Sequence, residues 1–281
     1  MDGYSANRTL SLRVELIRQV KRRRTAVAFA IVIALPIVVS LAVLYGPSAD
    51  GGGGLADGDF DVFGLMASGP WNFALSGLFF SSAFLLVIIS AMFLGDTVAS
   101  EASLGTMRYL LVAPVPRRRF LFTKAAVGLL LTGAVLIALV IASFLIGLIA
   151  FGTGTLQSPL SGTLDAGESS TRLAVITAYI AITLLVPAGI AFLASVSTDI
   201  PLGAVGAAVI TVIFANILDA IDALGSLRRF LPANYANSWS DALGTGIDWK
   251  QMAVGLAYNV GVFAVLVGIA VLKFERKDIL S

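Results

Sequence analysis

Cysteine and histidine are both absent from this chain of 281 residues. Their absence excludes disulfides, thiol chemistry, zinc held by Cys or His, haem ligated through either, and acid–base catalysis by His. Charge is scarce as well: 13% of residues are charged, about half the share in a soluble domain. A phosphate loop of the form G-x-x-x-x-G-K followed by Ser or Thr occurs nowhere. The Gly-rich stretch Gly51–Gly54 lacks the following Lys and Ser or Thr, and reads as a flexible linker. The polar segments are too short to build a core of their own, so any soluble catalytic domain is expected on another chain.

What is abundant is apolar. The hydrophobic share is 58% and the mean hydropathy +0.93. Uncharged runs lie at Thr25–Ala49, Val62–Gly95, Ala125–Leu164, Leu173–Thr198, Ile200–Leu218 and Gln251–Leu272. Each is long enough for a helix to cross a hydrocarbon core of roughly 30 Å. One charge at the bilayer centre costs about 2.5–3.5 kcal/mol on the insertion scale, which explains why the runs carry none. The expectation is an all-α polytopic membrane protein, one domain over residues 1–281, with six spans near 25–45, 72–94, 120–151, 172–196, 201–222 and 252–272. Pro187 is expected to kink the fourth span. No cleavable signal peptide is evident, and the first span reads as an uncleaved signal-anchor.

The basic residues are partitioned. With the N-terminus inside, the inner segments hold Arg8, Arg13, Arg18, Lys21, Arg22, Arg23, Arg24, Arg108, Arg117, Arg118, Arg119, Lys124, Lys273, Arg276 and Lys277, or 15 of 19. The outer segments hold Arg172, Arg228, Arg229 and Lys250. Positive-inside logic therefore expects both termini in the cytoplasm. Residues 8–24 carry Leu10, Val14, Ile17 and Val20 at helical spacing among basic residues. They read as an amphipathic interfacial helix, or as a basic flank that only sets topology. The segment 219–251 is rich in Phe230, Tyr235, Trp239 and Trp249, aromatics suited to the water–lipid boundary.

The inner segment Gly95–Arg119 carries the most specific pattern. Asp96 suits a helix start, Leu104, Met107 and Leu111 share a stripe, and Pro114 and Pro116 stop the helix. Spacing alone leaves open a short amphipathic docking helix or an ordinary basic loop. On the second and fifth spans, Phe79, Phe80, Phe84, Met92, Phe214 and Asn216 either pack or line a greasy path. Small pairs Gly203/Ala207, Ala257/Gly261 and Ala264/Gly268 permit close helix contact, within the chain or across a dimer seam.

The form E-x-x-x-G-T-x-R-x-L-L-x-x-P after the second span, here Glu101, Gly105, Thr106, Arg108, Leu110, Leu111 and Pro114, resembles the membrane permease subunit of type-2 ABC (ATP-binding cassette) transporters. The basic N-terminal helix, the six spans and the basic C-terminus belong to the same likeness. The resemblance implies an exporter-like permease in the plasma membrane of a prokaryotic cell, paired with a second permease copy and with separate ATPase subunits that bind the ATP. It implies no cofactor, metal, catalytic residue or nucleic-acid partner of the chain's own. Carried over by residue, Asp96, Glu101, Leu104, Gly105, Thr106, Met107 and Arg108 fall in the ATPase-coupling helix. The uncharged path fits a hydrophobic or amphipathic cargo. Rival readings are an ion-coupled secondary transporter, an intramembrane enzyme and an assembly factor without an ATPase. The second is opposed by composition, and the first because Asp96, Glu101, Asp199, Asp219 and Asp222 are expected at span ends or in loops, not at the midplane.

Overall fold

The computed structural model of the chain describes residues 11–45, 62–103, 116–158 and 162–276. Six helical stretches within them are long and apolar enough to span a membrane, so this is an all-helical, multi-pass membrane protein. In chain order the helices are α1 (Leu12–Val20), α2 (Arg23–Tyr45), α3 (Val62–Ala67), α4 (Pro70–Ala83), α5 (Leu85–Ser103), α6 (Arg117–Phe151), α7 (Ala166–Thr183), α8 (Leu185–Ser197), α9 (Pro201–Asp219) and α10 (Trp249–Arg276). Strands β1 (Leu156–Ser158) and β2 (Gly162–Leu164) form a small antiparallel hairpin between α6 and α7. Three 3₁₀ segments, Asp222–Phe230, Pro232–Tyr235 and Ser238–Leu243, link α9 to α10.

Helices rather than strands fill the bundle because lipid offers no partner to a free backbone N–H or C=O. The boundaries follow local chemistry. Asp165 caps α7 by accepting a hydrogen bond from the Glu168 amide at 2.7 Å. Pro201 occupies the first turn of α9, where its missing N–H costs nothing. Gly152, with φ of 74°, ends α6. The fourth span breaks at Leu184 into α7 and α8, since Pro187 has no N–H for the carbonyl of Thr183 one turn back.

Two departures concern the second span. It is not one helix from Asn72 to Leu94: α4 and α5 meet at Phe84, after the pair Ser81–Ser82, a kind of site where helices kink. Asp96 does not start a helix. It lies inside α5, which continues without interruption to Ser103. Its side chain is taken by Arg22 and Arg24, and so is not available to cap free amides.

Among the described residues the small pairs do not pack within the chain either. A Cβ on Gly261 or Gly268 would meet nothing within 4 Å, and one on Gly203 would meet only Ile200 of its own turn. The close approaches are elsewhere: Gly128 against Leu94, Gly95 against Val205 and Ala191, Gly189 against Phe263 and Leu266. These let α5 lie against α6, α8 and α9, and let α8 lie against α10.

Candidate functional site

The bundle has two ends of different character. At one end, the basic end, lie α1, the last turns of α5, the first turns of α6 and the end of α10. The other end carries the β-hairpin and the 3₁₀ segments. Each holds one built feature.

At the basic end a charge cluster is buried between α1, α5 and α6. Lys124, about two turns inside α6, is 1% exposed, Glu101 of α5 is 3% and Glu15 of α1 is 2%. Lys124 Nζ donates to Glu101 Oε1 at 2.7 Å and to Glu15 Oε1 at 3.1 Å. The Arg18 guanidinium bridges the same two carboxylates. Gln19 donates to Glu15 Oε1 at 2.9 Å, and Arg24 donates to Gln19 Oε1 at 2.7 Å. Beside them Arg22 meets Asp96 at 3.0 Å, and Arg24 pairs with the same carboxylate. Lys124 Nζ also sits 5.0 Å from the centre of the Phe120 ring. Burial pushes the Glu15 carboxyl up, but the Lys124 charge, the Gln19 hydrogen bond and Arg18 outweigh it, so the group lies below the usual carboxylate range. Removing one partner of such a set strands a buried charge, at a cost of about 3–5 kcal/mol. The cluster therefore clamps α1 to two spans.

Near the opposite end an apolar cavity of about 470 Å³ opens between α4, α5, α8, α9 and the 3₁₀ segment Pro232–Tyr235. Phe79, Phe80, Val87, Pro187, Ile190 and Phe214 supply its greasy wall. Thr183, Thr211, Asn216, Asn237 and Asn259 are among its polar points, and no charged residue lines it among the described residues. The amide nitrogens of Asn216 and Asn259 donate to Val212 O and Gly255 O of their own helices. The 3₁₀ cover is tied down by a buried Arg172, whose guanidinium donates to Ala242 O at 2.8 Å and to Gly244 O. Tyr179 Oη donates to Tyr235 O at 2.7 Å, and Ser158 Oγ to Leu243 O at 2.8 Å. Tyr235 and Trp239 are buried here, not at a lipid boundary, whereas Phe230 and Trp249 are exposed. Their ring surface is spent on packing: Trp239 meets Phe79 edge-on with centroids 5.8 Å apart.

The residues singled out by sequence fall as follows. Asp96 and Glu101 come together in the charge cluster. Leu104, Gly105, Thr106, Met107 and Arg108 lie outside the described residues. Phe79, Phe80, Phe214 and Asn216 line the cavity. Phe84 and Met92 do not: Phe84 is exposed on the outer surface, and Met92 packs half-buried against the core. Sequence reasoning missed Glu15, Lys124 and Arg172 as buried partners. Lys124 and Arg172 shared one available signal, a base directly abutting a long uncharged run, and Arg172 also had Glu168 one turn earlier.

Fold and sites together define a six-span helical membrane protein with an ion-paired helix at one end and an apolar cavity near the other. The chain belongs to a family whose model, described as protein of unknown function (DUF2705), matches residues 59–280. No curated protein matches it.

Proposed function

We propose that the chain is the permease subunit of an ATP-binding cassette transporter that exports a hydrophobic or amphipathic compound by alternating access. The observation that carries this reading is the buried Glu15–Lys124–Glu101 set. It joins α1 to the last turn of α5 and the first turns of α6. The segment that the coupling-helix resemblance assigns to the ATPase includes Asp96 and Glu101 of this cluster and runs on to Arg108. A force on that segment would act directly on two spans, one of which reaches the cavity through Val87. The uncharged lining suits an uncharged cargo portion. On this reading the basic end faces the cytoplasm of a prokaryotic cell, by the partition of basic residues. ATP is bound and hydrolysed by a partner subunit, and the chain itself is not an enzyme. A second permease copy completes the unit. The outward stripe Ala257, Gly261, Ala264 and Gly268 on α10 offers it a close helix contact.

One observation favours a second reading. Ionisable groups buried in membrane helices mark ion pathways in many transporters, and Glu101 and Lys124 are such groups. They would serve an ion-coupled carrier. The deciding experiment reconstitutes the chain with a candidate ATP-binding cassette ATPase subunit and follows efflux of lipophilic dyes from vesicles. Efflux that needs ATP and survives collapse of all ion gradients is the expected result. Efflux without ATP that stops when the gradients collapse would replace the first reading by the second.

A further inference from the structure

The helix α1 is turned with its acid inward. Glu15 is consumed by Lys124 and Arg18, and Gln19 is buried beside it. Outward stand Arg13, Ile17 and Lys21, which follow one another at four-residue steps along one row. Val14 and Val20 flank that row, at 63% and 52% exposure, with Ile17 at 44%. The outward face is therefore apolar and cationic, with no carboxylate among the described residues to offset its charge. Arg23, also exposed, extends it. Only Lys21 and Arg22 separate α1 from the span α2. The face thus lies where hydrocarbon meets water, whichever way the chain crosses the membrane.

We propose that this face is a docking surface for anionic phospholipid in the adjoining leaflet. Val14, Ile17 and Val20 would enter the acyl boundary. Arg13, Lys21 and Arg23 carry their charge on long alkyl stems and reach up to the phosphates. A zwitterionic headgroup satisfies the apolar residues equally but leaves the cationic row without net counter-charge. Charge complementarity thus selects the anionic lipid, by about fivefold per basic residue near the surface. The inference does not rest on the transport reading, and its test needs neither ATP nor a second subunit.

The full chain has no cysteine, so Leu12→Cys carries one fluorophore at the start of α1. Nanodiscs are made from equal parts phosphatidylcholine and phosphatidylglycerol, with bromine on the acyl chains of one lipid or the other. Quenching several-fold stronger with bromine on phosphatidylglycerol is the expected result. Arg13→Gln with Lys21→Gln should abolish that preference. Neither residue forms an ion pair or side-chain hydrogen bond among the described residues, so the thermal unfolding midpoint should stay unchanged. Equal quenching by both lipids would overturn the proposal in favour of indifferent contact with the bilayer. No quenching by either would place water or a protein partner on the face, and would also overturn it.

Discussion

Lys124 holds the basic end together because it is fully buried and meets both carboxylates at Oε1, whereas Arg18, which bridges the same two, is partly exposed. Lys124→Met keeps much of the side-chain volume but leaves Glu15 and Glu101 facing each other with Arg18 alone. A loss of about 3–5 kcal/mol is expected, read as a lower unfolding midpoint in detergent. The triple change Lys124→Met, Glu101→Gln, Glu15→Gln should recover most of it, because no charge is then stranded. Acid should act on the same cluster. The folded Glu15 carboxyl is held below its ordinary value, so the native state binds the proton less readily than the unfolded chain. Its contribution is complete above the ordinary carboxylate range and is lost as pH falls through the lowered folded value. A spin label at Leu12→Cys should therefore gain mobility below that range and be immobile at neutral pH. Immobility throughout would mean that Glu15 does not hold α1. For Glu101→Ala the consequence is wider than a lost contact at the protein surface: the change also leaves Lys124 with one partner fewer inside the bundle.

Among the elements, the divided fourth span and the 3₁₀ cover shape the cavity. Pro187 both breaks the helix and stands in the cavity wall. Pro187→Ala should let α7 and α8 join, straighten the span and reduce uptake of a lipophilic fluorophore by the purified chain, without loss of stability. An unchanged uptake would separate the break from the cavity. Arg172 anchors the cover through two carbonyls. Arg172→Gln should raise amide hydrogen exchange across Ser238–Leu243 while leaving α2 and α6 protected. Uniform loss of protection would instead mean that the residue supports the whole bundle. Sequence places these helices well because a span is set by composition over about twenty residues, an average that tolerates local error. Breaks at Phe84 and Leu184 are decided by one or two residues. Only the second carries a proline to announce it.

For the whole molecule, membrane orientation is the most direct prediction. With the basic end in the cytoplasm, an impermeant maleimide on intact cells should label Ser170→Cys and spare Ser103→Cys, both exposed at opposite ends. The reverse pattern would invert the topology and remove the ATPase reading of the basic end. The class of protein, the number of spans and the scarcity of charge within them follow from the sequence by itself, because lipid judges each helix segment on its own hydrophobicity and backbone hydrogen bonding. Phe79, Phe80, Phe214 and Asn216 of the cavity were also visible as candidates, since they stand on two apolar spans, whereas Asn237 and Asn259 were not. Which of them face one space was decided only by packing: Phe79, Phe80, Phe214 and Asn216 converge, while Phe84 and Met92, on the same spans, do not. The same holds for the charges. Glu15, Glu101 and Lys124 are far apart in sequence, and each alone reads as a solvated or topology-setting residue. They are buried only because α1 folds back onto α5 and α6, and an ion leaves water only where the tertiary fold supplies its counter-ion.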